Sequence, residues 1–116
     1  EFEEENTKDA DVVVVSYGIT SRDVSEAVEQ ARKEGIKVGT LLLITVWPFP
    51  EKRIAELARQ VNAFVVPEIN YGQIYFEVER CAQGMADTLS VIHDRSRDNG
   101  IHNIIDAIKR ALKESK

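Results

Sequence analysis

Two uninterrupted apolar runs frame the first half of the chain, and the apolar residues between them change period. A half-exposed strand would alternate apolar with polar residues. Val12-Val13-Val14-Val15 does not, and so predicts a strand covered on both faces. The stretch from Val38 to Val46, which carries Leu41-Leu42-Leu43-Ile44, reads the same way. Between the two, Val24, Ala27, Val28 and Ala31 recur at the three-and-four spacing that builds one apolar helix face. Thr20 with Asp23 three positions on makes an N-cap arrangement like a capping box, and Gly35 suits the left-handed position that ends a helix. The unit is βαβ, with two parallel strands joined by a right-handed crossover.

The alternation of element types continues. Pro48 and Pro50 end the second strand, and Pro50 sits well in the first turn of a new helix lined by Ile54, Leu57, Ala58 and Val61. Phe64-Val65-Val66-Pro67 predicts a short third strand closed by its proline. A helix after Gly72 would place Ile74, Val78, Cys81, Ala82 and Met85 on one face. Thr88 to Ile92 predicts a fourth strand, and Asp94 to Gly100 is a polar surface loop. Asn103 would cap a last helix that buries Ile104, Ile105, Ile108, Ala111 and Leu112. The order βαβαβαβα implies a three-layer α/β/α sandwich with a mainly parallel sheet of four or five strands. Residues 11–116 form its single domain. Residues 1–10 are either an acidic lead-in or, through Phe2, an edge strand, and the sequence leaves both readings open.

Composition narrows the function classes. With 116 residues there is room for one domain with a real core and not for two. The net charge of -5 is concentrated at the start, where five carboxylates face Lys8 alone in the first ten residues. No basic stripe remains to track phosphates, so nucleic acid is not the expected partner. The longest apolar run, from Leu41 to Pro50, is too short to cross a bilayer, and no basic-then-apolar leader opens the chain. Cys81 is the one cysteine. It allows neither an internal disulfide nor a paired-thiol metal site, and it agrees with a reducing compartment. A soluble, cytoplasmic domain is expected.

In open α/β sheets ligands collect beyond the carboxyl ends of the strands. The first such end offers Ser16, Tyr17, Gly18, Thr20 and Ser21, and the second Trp47, Phe49 and their prolines. The third offers Glu68, Asn70, Tyr71 and Gln73, and the fourth His93 and Asp94. This rim is where a ligand or a neighbouring domain is met. Each group also has a plainer reading. The Gly18-Ile19-Thr20-Ser21 turn can cradle a phosphate, yet it lacks both dinucleotide glycine spacing and a P-loop lysine. Glu68 is a possible acid or base, or a helix cap. Trp47 and Phe49 either wall a pocket or form a corner buried against another domain. His93 beside Asp94 resembles a base with its orienter, without an accompanying nucleophile, and would be needed by a small hydrolase. Cys81, on an apolar helix face, reads as inert core. By chemistry alone this is an α/β domain without an active site of its own.

The motifs taken in order resemble a known family. The run Val12 to Gly18, Glu26-Ala27, Glu34 to Val38 and Trp47-Pro48-Phe49-Pro50 followed by Ile54 is similar to the C-terminal domain of transketolase-type thiamine enzymes. Phe64-Val65-Val66-Pro67-Glu68-Ile69-Asn70-Tyr71-Gly72-Gln73, then Glu77-Val78-Glu79-Arg80, resembles a stretch in the alpha subunit of 2-oxoacid:ferredoxin oxidoreductases. The likeness runs from about Asp11 to Arg80, and the stretch from Gly100 to Leu112 resembles the closing helix.

The resemblance implies a transketolase C-terminal-domain-like fold, a type that can have one antiparallel edge strand; here that strand would come from Glu1 to Asn6 or be missing. It implies an enzyme that oxidatively decarboxylates a 2-oxoacid to an acyl-CoA and reduces ferredoxin. Thiamine diphosphate, Mg and iron–sulfur clusters are implied for the whole enzyme and none for this chain, which has no Gly-Asp-Gly metal motif and no cysteine set. The implied role here is structural: an excised domain, inactive alone, that packs against the other alpha-subunit domains and the beta subunit. Its rim aromatics, left bare, favour self-association. The alternative is a stand-alone module binding a nucleotide or CoA phosphate at Gly18 to Ser21.

Overall fold

The computed structural model describes residues 2–17, 21–44, 49–68, 73–92 and 100–114. Five strands, β1 (Phe2–Glu5), β2 (Val12–Tyr17), β3 (Val38–Leu43), β4 (Ala63–Glu68) and β5 (Asp87–Ile92), form one sheet in the order β1-β3-β2-β4-β5. The last four are mutually parallel, and β1 runs antiparallel along β3, with Phe2 opposite Leu43 and Glu5 opposite Thr40. The helices are α1 (Ser21–Lys33), α2 (Glu51–Ala58), α3 (Gln73–Ala82) and α4 (Gly100–Glu114).

The four valines behave as a doubly covered strand must. Val13 and Val15 join Leu41, Leu43, Phe64 and Val66 in the core under α2 and α3, with Ile54, Leu57, Val78 and Cys81. Val12 and Val14 point the other way. They pack with Val24, Ala27, Val28 and Ala31 of α1 and with Ile104, Ile105, Ile108 and Ala111 of α4. All four valines are inaccessible to solvent. The expected three-layer sandwich is the fold.

Local differences from the sequence reading have physical causes. Pro67 does not close β4, which continues to Glu68. Pro67 lies in register with Val91, and although it has no amide hydrogen to donate, the β5 side of the ladder carries on past it. Met85 is not on the apolar face of α3. That helix ends at Ala82, Gln83 and Gly84 both take positive φ (53° and 78°), and Met85 is left 54% exposed. Asn103 is not a cap, because α4 already begins at Gly100. β3 ends at Leu43, and Thr45 and Val46 lie outside the described residues. Gly35 does terminate α1. At φ +86° it donates to the Arg32 carbonyl (3.0 Å) while Ile36 donates to that of Ala31 (3.1 Å), the paired bonds of a Schellman ending.

Of the two readings left open for the acidic start, the structure has the edge strand. The segment that follows is strapped down by three side chains. Arg53 of α2 binds the Glu4 carboxylate through two nitrogens, and the Thr7 hydroxyl donates to the same carboxylate at 2.7 Å. Arg32 of α1 donates to the carbonyls of Val38 (2.8 Å) and Asn6 (2.9 Å) and forks onto Asp9 at 2.9 and 3.2 Å. The Gln60 amide donates to the carbonyls of Thr7, Lys8 and Ala10. Asn6 turns at φ 59° and passes so close over Gly39 that a Cβ there would stand 2.6 Å from the Asn6 carbonyl oxygen.

Candidate functional site

The strand order reverses at β2: the chain leaves it for β3 on one side and later returns to β4 on the other. At such a switch point the two strands part and leave a crevice at their carboxyl ends. The ladders show the parting. β2 stays paired with β3 as far as Tyr17, and β4 with β5 as far as Glu68, but β2 and β4 pair only up to Val14 and Val65.

Several of the expected rim residues border this opening. Tyr17 closes β2 and is 44% exposed. Ser16, one residue earlier, is buried. Glu68 ends β4 opposite Ile92, and Gln73 opens α3. Phe49 is mostly core, with an edge left on a cavity that it lines together with Phe2 and Pro50. It is 6% exposed and packs into the core under α2 and α3, and its carbonyl accepts from the Glu51 amide at 2.8 Å as α2 begins. Gly18, Thr20, Trp47, Asn70, Tyr71, His93 and Asp94 lie outside the described residues, and so does most of the proposed phosphate turn. His102 stands exposed on α4.

Sequence reasoning did not place Phe2 and Ile44 on this rim. Phe2 and Tyr17 are both in register with Leu43, one from each side of β3, so the three form a row across the sheet. Phe2 is 38% and the following Ile44 43% exposed. The signal was hidden because register across an antiparallel edge pair is not written in either strand alone.

Among the described residues no group of three His, Cys, Asp or Glu can hold a metal ion. Cys81 is buried in the apolar core, and desolvation pushes its thiol up from its ordinary value, against the pull of Arg80. This is the opposite of an activated thiolate. The described rim offers a phenol, a buried hydroxyl and apolar surface, which suits contact rather than bond-making.

The comparisons with known proteins agree with that geometry. The family described as pyruvate:ferredoxin oxidoreductase core domain II matches residues 10–110. The chain belongs to this family. Among curated relatives of domain II, the 2-oxoglutarate synthase subunit KorA of Methanothermobacter marburgensis is 48% identical over 81 residues, 70% of this chain and 22% of the relative. The ketoisovalerate oxidoreductase subunit VorB of the same organism is 44% identical over 86 residues, 74% of this chain and 24% of the relative. The domain therefore spans about a quarter or less of these relatives' length. A solved split-gene transketolase, an inactive beta4 tetramer, superposes with a TM-score of 0.83 at 18% identity, covering 98% of this chain and 42% of that one. The domain II fold is thus transketolase C-terminal-like. No helix among the described residues is long and apolar enough to cross a membrane.

Proposed function

We propose that this chain acts as a non-catalytic interface domain in the alpha subunit of a cytoplasmic, thiamine-diphosphate-dependent 2-oxoacid:ferredoxin oxidoreductase. The whole enzyme would convert a 2-oxoacid and CoA to an acyl-CoA and pass the electrons to ferredoxin. The observation that carries the reading is the domain II match across residues 10–110, in a chain whose relatives are oxidoreductase subunits. The relatives' names cover more than one 2-oxoacid, so the reading extends to the class and not to one substrate.

The residues present do not fit an iron–sulfur cluster. A cluster needs several cysteine thiolates, and the chain has Cys81 alone, buried among apolar side chains. On this reading the iron–sulfur ligands, and with them the thiamine diphosphate and Mg sites, belong to other domains or to the beta subunit. The share of this domain is the carboxyl rim, where Tyr17, Ile44 and Phe2 supply apolar area for a neighbouring domain.

The test is capture of the native protein from cell extract with an antibody raised against this domain. Co-purification of a second subunit, thiamine diphosphate and iron–sulfur absorbance is expected, with CoA-dependent 2-oxoacid oxidation in the captured complex. A native protein free of other subunits and of both cofactors would overturn the reading. So would thiamine diphosphate binding by the 116-residue chain alone.

A further inference from the structure

On the α1 side of the sheet edge, β1 has no helix over it. Glu3 and Glu5 emerge there beside Leu42 and Thr40 of β3 and Ser16 of β2. Val24 and Ser25 of α1 close the far wall of a recess of about 130 Å³. Ser16 is 1% and Thr40 9% exposed, both line the recess, and neither hydroxyl is hydrogen-bonded to a described residue. Among the described residues Glu3 and Glu5 have no ion-pair partner, whereas the intervening Glu4 is bound by Arg53 on the opposite face. Two glutamates and three hydroxyl residues thus line one recess, and no described cation lines it with them.

Chemistry narrows the occupant. The carboxylates repel an anion. A hard divalent ion takes six or more oxygen ligands and usually more than two carboxylates, and among the described residues no third acidic, histidine or cysteine side chain joins these two. An alkylammonium group presents three N–H donors to acceptors of this kind, and Val24 and Leu42 give its methylene stem an apolar wall. We propose that the recess between β1, β3 and the start of α1 binds an alkylammonium group, either a lysine side chain of another polypeptide or a free aliphatic amine. The site shares Ser16 with the carboxyl rim and does not require the oxidoreductase reading.

The test follows amide resonances of the 116-residue chain at pH 7 and constant ionic strength. The titrants are n-butylammonium chloride and, separately, Nα-acetyl-lysine amide. Saturable shifts at Ser16, Ser25, Thr40 and Leu42 are expected in the millimolar range, the affinity open to a ligand of a few heavy atoms. Binding should weaken about tenfold or more in the Glu3→Gln, Glu5→Gln double variant, and by less in Ser16→Ala. Tighter binding of the lysine amide than of butylammonium supports a polypeptide partner, and equal binding supports a free amine. The proposal is overturned if those residues do not shift, or if the double variant binds as well as the parent. It also fails if tetramethylammonium, which has no N–H, or calcium shifts the same residues equally.

Discussion

On the α2 side of β1, Glu4 is held by Arg53 and Thr7, and Phe2 shares a cavity wall with Phe49 and Pro50. On the α1 side, Glu3 and Glu5 face hydroxyls and two apolar side chains with no cation opposite. One strand of four residues thus has a neutralised face and a charged one. The difference follows from helix placement: α2 brings an arginine to the edge, and α1 brings Val24 and Ser25. A residue's neighbours across the sheet decide whether its charge is structural or available. The sign of the residue does not.

The scale for testing this contrast is set at the sheet centre, where both faces are dry. Phe64, fully buried between β2 and β5, should cost about 3–5 kcal/mol on Phe64→Ala, read as a lower urea midpoint with unchanged slope. Gly39→Ala attacks both faces of the edge at once. Its Cβ would meet backbone atoms of Asn6 and Glu5 at 2.6–2.9 Å, and a loss of roughly 1–3 kcal/mol is expected from displacing β1.

Arg53→Ala removes the neutralised face alone, at roughly 1 kcal/mol for a partly exposed pair. Its signature is the pH dependence. Hydrogen bonding from Arg53, opposed by burial and aided by Thr7, holds the Glu4 carboxyl below its usual 4.5. The stabilisation is thus fully present above about pH 4.5 and is lost as pH falls through the lowered folded value. Urea midpoints taken across that window should flatten in Arg53→Ala. An unchanged acid slope would mean that Glu4 is not held as described. The smallest effect is expected from Glu3→Gln with Glu5→Gln, within about 0.5 kcal/mol of the parent. A large loss there would show that the charged face has structural partners after all.

How much of this was legible in the chain depended on how local the cause was. The run Val12 to Val15, the α1 face at Val24, Ala27, Val28 and Ala31, and the Gly35 ending were readable because period and turn chemistry are written in consecutive residues. β1 could not be assigned, because what holds it and the segment after it is Arg53, 49 residues from Glu4, and Gln60, 50 or more residues from the carbonyls it clamps. Pro67 and Met85 misled for related reasons: a strand paired along one side outlasts its proline, and two positive-φ residues ended α3 before its apolar period did. At the rim, Tyr17 was foreseen from its place at a strand end. Phe2 was hidden by register, and the Glu3–Glu5 recess by topology, since its walls come from β1, β2, β3 and α1.

The pairing of β1 with β3 also bears on solubility. Without that strip of four residues, β3 would be the outermost strand, and Thr40-Leu41-Leu42-Leu43 would turn its free amides and carbonyls to solvent. An apolar, uncharged edge of that kind is a template for another chain's strand. The glutamates of β1 cover that template with an edge whose like charges discourage a second copy from adding to it. In this sense the acidic start of the chain keeps the sheet finite.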